Sequence, residues 1–184
     1  MYLVVALGNF GEKYAQTRHN AAWLVVDEIA GEDVAWGFSK YGNADYLHSV
    51  AGNAAIEYYK PRTMMNLSGN AVSYAVEKHD LEPSQIIVMH DDIDIPVGEF
   101  KISFDRGSAN HNGVESVTQA LGTQAYIRLR IGIGSRGPIP LKNYVLMQLP
   151  PNDLAAIQAL AIDVEKAIRV IAEEGVEKAM NEFN

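Results

Sequence analysis

The chain has 184 residues, of which 48% are hydrophobic and 21% charged, a composition that fits one folded domain with a sizeable core and excludes a disordered protein. Cysteine is absent, which rules out disulfide frameworks, thiol nucleophiles and thiolate metal sites. Fifteen Lys and Arg against 23 Asp and Glu leave a formal charge of −8, which argues against a protein that coats nucleic acid non-specifically.

The first predicted element is a central strand at 2-YLVVAL-7, a continuous apolar run covered on both faces. A polar loop follows, with Gly8 and Gly11 as turn residues, and 20-NAAWLVVDEIAG-31 predicts a helix stopped at Gly31. Residues 44-ADYLHSVAGNAAIEYYKP-61 predict two strands joined near Gly52 and Asn53, the second ended by Pro61. In 66-NLSGNAVSYAVEKHD-80 the spacing of Leu67, Ala71, Tyr74 and Lys78 predicts a helix. Strands are expected at 86-IIVMH-90 and at 98-GEFKISF-104, ahead of the loop 105-DRGSANHNG-113. A helix at 114-VESVTQALG-122 and an alternating, half-buried strand at 127-IRLRIGIG-134 come next. After a proline-bracketed stretch with little regular structure, Leu154, Ile157, Leu160, Val164, Ile168 and Ile171 predict one long amphipathic C-terminal helix.

Strands and helices in rough alternation indicate an α/β fold, one mixed sheet with helices on both faces, over a single domain spanning residues 1–184. The chain starts directly into a strand, and no apolar run is long enough to span a bilayer, so a cytoplasmic location without a membrane partner is expected. Charge is unevenly spread. Residues 96–148 hold six basic residues against three acidic ones, whereas residues 149–184 hold three against seven, leaving room for a local basic face.

Two polar bursts follow apolar strands: 8-GNFGEKYAQTRHN-20, and the cluster His90, Asp91, Asp92 and Asp94. In α/β sheets ligands gather at such strand ends. The first burst lacks the GxGxxG spacing of a dinucleotide site. Asp91, Asp92 and Asp94 with His90 or His19 offer a hard-cation alternative. Adjacent strand residues point to opposite faces, however, so His90 and Asp91 fit one ligand sphere poorly. The reading that asks for least is acid–base chemistry, in which neutral His19 takes a proton from water and Asp91 fixes its tautomer. Either residue alone is equally well a surface group. Asn9, Asn66 and Asn112 are each explicable as caps or turn formers. Around a cleft their amides would suit a substrate that is part peptide and part nucleotide.

Four stretches taken together, 6-ALGNFGEKYAQTRHNAAW-23, 61-PRTMMNLSG-69, 88-VMHDDIDIPVG-98 and 110-NHNG-113, supported by 128-RLRIGIGSRG-137, resemble the bacterial peptidyl-tRNA hydrolase family in order and spacing. The resemblance covers nearly the whole chain. It implies a single-domain, three-layer fold with a twisted mixed sheet, acting as a monomer in ribosome rescue. It also implies hydrolysis of the ester between peptide and tRNA without a metal or other cofactor. By the same resemblance His19, Asp91 and Asn9 form the catalytic set. Tyr14, Met65, Asn66 and Asn112 bind substrate, and Lys101, Arg106 and Arg130 face the tRNA. A noncatalytic RNA-binding relative is the alternative.

The sequence also departs from the family pattern. The loop 105-DRGSANHNG-113 carries bulkier residues than the usual glycines, and Ser103 stands where a second basic residue is usual. Phe10 replaces a common proline, and the body is acidic. Weaker tRNA affinity is the expectation.

Overall fold

The computed structural model describes residues Met1–Asn184, organised as an α/β single domain around one seven-stranded sheet. The strands are β1 (Tyr2–Ala6), β2 (Gly37–Ser39), β3 (Ala44–Ala51), β4 (Ala54–Pro61), β5 (Ile86–Asp92), β6 (Phe100–Phe104) and β7 (Ile127–Gly132). Their order is β2-β3-β4-β1-β5-β7-β6. The inner pairs β4–β1, β1–β5 and β5–β7 are parallel, and the flanking pairs are antiparallel.

The apolar runs have the pattern that burial on both faces demands. Val4, Ala6, Ile87, Met89, Leu129 and Ile131 face α1 (Ala21–Ala30) and the C-terminal helices. Leu3, Val5, Ile86 and Val88 face α2 (Ser68–His79) and α3 (Asn112–Leu121). Two cores on opposite sides of one sheet give three layers. No helix is long and apolar enough to cross a membrane.

Several elements differ from the sequence expectation. The long C-terminal helix is three helices, α5 (Pro151–Ala159), α6 (Ala161–Glu174) and α7 (Val176–Phe183). The chain breaks at Leu160 and again at Gly175, whose φ of 93° suits only glycine. The stretch before them holds a single helical turn, α4 (Leu141–Tyr144). β7 is buried throughout rather than half-buried, because it lies between β5 and β6 and its arginines are covered as well. β2, a three-residue strand, carries too short a pattern to be seen in the sequence. Gly11 has the positive φ of a turn residue, but Gly8 does not. At Gly8 a Cβ would lie 2.6 Å from Trp23 Nε1, so close packing is what requires glycine there.

At the edge strand β6 the backbone of Ile102 is occupied from outside the sheet. Its N–H donates to Asn184 Oδ1 at 2.7 Å, and Asn184 Nδ2 donates to its carbonyl at 3.0 Å. β1 has β4 on one side and β5 on the other, so strand order reverses at β1 and a crevice opens at the carboxyl ends of β1 and β5.

Candidate active site

The Leu7 N–H donates to the Met89 carbonyl at 2.9 Å, which keeps the ends of β1 and β5 together. Asn9 therefore leaves β1 beside Asp91, the penultimate residue of β5. His19 arrives on a short 3-10 turn, Arg18–Asn20, that runs straight into α1. The segment after α4 clamps this turn. His19 N–H donates to the Val145 carbonyl at 2.8 Å and Arg18 N–H to that of Met147 at 3.1 Å.

His19 Nδ1 lies 2.8 Å from Asp91 Oδ1, and both side chains are buried. A third group meets them. His111 Nε2 is also 2.8 Å from Asp91 Oδ1. His111 is the N-cap of α3, and its Nδ1 accepts the backbone N–H groups of Gly113 and Val114, each at 3.2 Å. An accepting Nδ1 carries no proton, so the His111 proton sits on Nε2 and is donated to Asp91. With His19 Nδ1–H also given to this oxygen, His19 Nε2 is the ring nitrogen left for chemistry.

The electrostatics follow from this contact. Burial alone would disfavour charge on His19. The negative charge and hydrogen bond of Asp91 outweigh it and raise the His19 pKa above the ordinary 6.5. Burial likewise opposes the Asp91 charge, yet His19 and His111 together hold its carboxyl far below the usual carboxylate range. His90 also lines the cleft, its ring centroid 4.7 Å from that of His111, and its Nδ1–H donates to the Asp91 carbonyl at 2.8 Å. Burial first, and then His111, push its pKa well below 6.5.

Asn9 is gripped from two sides. Its N–H donates to Asn20 Oδ1 at 2.9 Å, and Asn20 Nδ2 donates back to its carbonyl at 3.0 Å. Its own Oδ1 accepts the Met65 N–H at 2.9 Å, so Nδ2 is the part of the amide left to donate outward.

A cleft of about 320 Å³ adjoins the pair, lined by His19, Asp91, His111, Asn112, Asn110 and Lys142 among others. Asn9, Met65 and Asn66 lie on the β1–β4 side instead, Met65 buried and Asn66 exposed. Tyr14 is half-buried in the turn Glu12–Tyr14, with the Lys13 ammonium 4.8 Å from its ring centroid. Of the three basic residues, Lys101 and Arg106 are exposed. Arg130 is different, being buried with its Nε donating to Asp92 Oδ2 at 2.8 Å. Asn66 and Asn112 do not cap their helices. Leu67 holds the cap position of α2 and His111 that of α3.

The donor atoms of His19, Asp91 and His111 lie within 4.8 Å of one another, close enough for a metal ion. The α3 cap opposes that use. A metal on His111 Nε2 would drive its proton to Nδ1, against the two backbone N–H groups that Nδ1 accepts.

The family model described as peptidyl-tRNA hydrolase matches residues 3–184. A curated peptidyl-tRNA hydrolase of Thermodesulfovibrio yellowstonii is 41% identical, the match covering 100% of this chain and 99% of the relative. One from Geobacter sp. is 38% identical over 99% and 97%. The chain belongs to the peptidyl-tRNA hydrolase family. The crystal structure of peptidyl-tRNA hydrolase from Acinetobacter baumannii superposes with a TM-score of 0.90 at 27% identity, covering 100% of this chain and 94% of that one. As a member of that family, the protein is a hydrolase of peptidyl-tRNA.

Two residues of this peptidyl-tRNA hydrolase site escape sequence reasoning. Asn20 and His111 both sit inside quoted motifs, TRHN and NHNG, where their neighbours attract the attention. Nothing in the linear order says that an α3 cap reaches back to β5.

Proposed function

We propose that His19 is the general base of peptidyl-tRNA hydrolysis and Asp91 its orienting partner. Neutral His19 takes a proton from water at Nε2 while Asp91 holds Nδ1–H, and the resulting hydroxide-like oxygen attacks the ester carbonyl. Asn9 Nδ2, with Asn66, donates to the oxyanion that develops. Histidinium then returns its proton to the departing ribose oxygen. The observation that carries this reading is the 2.8 Å bond from His19 Nδ1 to Asp91, which leaves Nε2 free of protein partners.

Tyr14, Met65, Asn66 and Asn112 hold the substrate around the ester in this reading. Lys101 and Arg106 meet acceptor-stem phosphates, and Arg130 lies behind them at the register position opposite Lys101. The chain works as a monomeric cytoplasmic domain without a metal or other cofactor. Metal independence is supported by the protonated His111 Nε2.

Turnover of a defined peptidyl-tRNA, and of a minimal peptide ester on a short nucleotide, tests the assignment. Wild type should cleave both, and cleavage of the minimal ester should survive exhaustive chelation. A requirement for an added divalent ion would move His19 and Asp91 into a metal site. Binding of tRNA without cleavage would favour the noncatalytic alternative.

A further inference from the structure

The turn that carries His19 belongs to no strand of the sheet, whereas Asp91 lies in β5, which pairs with β1 and β7. The 2.8 Å between the two side chains is therefore set by what ties that turn to the sheet. Two routes do so. One runs through Asn20, which grips Asn9 beyond the end of β1. The other runs through α4 and the segment after it. Thr17 and Gln148 form an antiparallel bridge, and the Leu149 N–H donates to the Gln16 carbonyl at 2.9 Å. Tyr144, the last residue of α4, donates its O–H to the Ile133 carbonyl at 2.8 Å. The Ile133 N–H in turn donates at 3.0 Å to the carbonyl of Asp92, the neighbour of Asp91. The second route closes a frame from the His19 turn back to β5.

The Arg18 side chain sits at the corner of that frame. Its guanidinium lies 4.6 Å from the Tyr144 ring centroid, and Nη1 donates to Asp153 Oδ2 at 3.1 Å. Asp153 is in the first turn of α5. One side chain thus ties the residue beside His19 to α4 and α5 together. Only 9% of it is exposed, and its Nε is buried without a partner in the protein. A cation that leaves water for one anion and one ring face is often no more stabilising than a well-packed apolar residue. What it supplies is position. A planar guanidinium lies on a ring and bonds a carboxylate at once, which an ammonium on a flexible stem does not reproduce.

We propose that Arg18 is a positioning residue of the hydrolase, holding the His19 turn against α4 so that Nδ1 stays on Asp91 and Nε2 faces the cleft. The same contact fixes the cleft wall, because Leu141, Lys142 and Val145 line it beside His19. Arg18 is not among the lining residues and acts through these neighbours. This inference rests on the reading of His19 as the base.

The test compares wild type, Arg18→Lys, Asp153→Asn and His19→Ala on the minimal nucleotide ester, at a temperature where urea titrations show each to be folded. Arg18→Lys keeps the charge beside His19, so a change in its pH profile reports geometry and not field. Its kcat should fall about tenfold with KM within about twofold of wild type. Its acid-limb inflection should move to lower pH, because His19 loses part of the Asp91 contact that raises its pKa. Asp153→Asn, which loosens the guanidinium from α5, should lower kcat in the same direction but less. Wild-type kcat and an unmoved inflection in Arg18→Lys, or in Asp153→Asn if the lysine variant does not fold, would overturn the inference and leave Arg18 a structural residue. So would a raised KM at unchanged kcat, the sign of lost uniform substrate binding. Near-normal turnover by His19→Ala would instead remove the reading on which the inference rests.

Discussion

His19 and His111 present their rings 5.0 Å apart, centroid to centroid, and both bond Oδ1 of Asp91. One carboxylate oxygen thus serves His19, the proposed base, and, through the α3 cap, the loop that walls the cleft. Its charge is divided between two donors. Removing His111 as a donor should leave more of that charge facing His19 and raise the His19 pKa further.

His111→Asn separates the two jobs, because asparagine caps a helix as well as any residue but is shorter than histidine. Stability should change little, whereas the acid limb of the kcat/KM profile moves to higher pH. A profile unchanged from wild type would mean that the Asp91 bond of His111 has no influence on the base.

His19→Ala should lower turnover on the order of 10²–10⁴-fold. In wild type the base is active only when neutral, so kcat/KM rises with pH through an inflection above 6.5, in line with the raised His19 pKa. Asp91→Asn removes the charge that raises it and leaves burial, which lowers it. Its inflection should therefore fall to lower pH while the plateau rate drops. A pH series on the minimal ester gives both numbers, and near-normal turnover by His19→Ala would sink the mechanism.

Asn20→Ala unpairs both backbone groups of Asn9 in a buried place. A stability loss of about 1–3 kcal/mol is expected in urea titrations. Turnover should fall as well, since Nδ2 of Asn9 loses its bearing. A variant destabilised but fully active would show that Asn9 is held well enough by Met65 alone.

Ser103 sits half-buried on the same face of β6 as exposed Lys101. Ser103→Lys should add a phosphate contact, strengthening tRNA binding and steepening the fall of log-affinity with log-salt by about 0.7–0.9 per contact. Cleavage of the minimal ester should be unaffected, because residue 103 is outside the set proposed to meet the ester. Salt titrations in a His19→Ala background measure the slope. An unchanged series would place residue 103 off the phosphate path.

Tyr58 makes the fold sensitive to alkali. Burial, and secondarily the charge of Glu165, push its pKa up to about 12. Unfolded tyrosine ionises from about pH 10. Between these values the unfolded state has lost a proton that the folded state keeps, so stability falls as pH rises, by up to ~1.4 kcal/mol per pH unit. Tyr58→Phe should flatten this part of the stability curve, read from denaturant midpoints across the range.

The strands around the site were legible because burial on both faces writes an unbroken apolar run, and the polar residues ending such a run stand out. His19 and Asp91 both come from polar stretches that follow such runs, and the structure brings them within 2.8 Å. β5 in fact runs through Asp92, since ladder hydrogen bonds to β7 continue past the last apolar residue. Arg130 illustrates what one dimension hides. A basic residue in a strand suggests a solvated face, but Asp92 stands on the neighbouring strand and takes the charge. The break at Gly175 was equally hidden, because the apolar spacing up to Ile171 does not reach it and glycine within a helical pattern is tolerated.

The amide of Asn184, bonded to both backbone groups of Ile102, behaves as a one-residue strand at the rim of the sheet. Edge strands with free backbone groups invite a neighbour to add on and begin an aggregate. Here the middle of β6 is already taken, and the other rim, β2, is only three residues long. Cross-molecule pairing at the β6 rim would first have to displace the chain's own terminal amide.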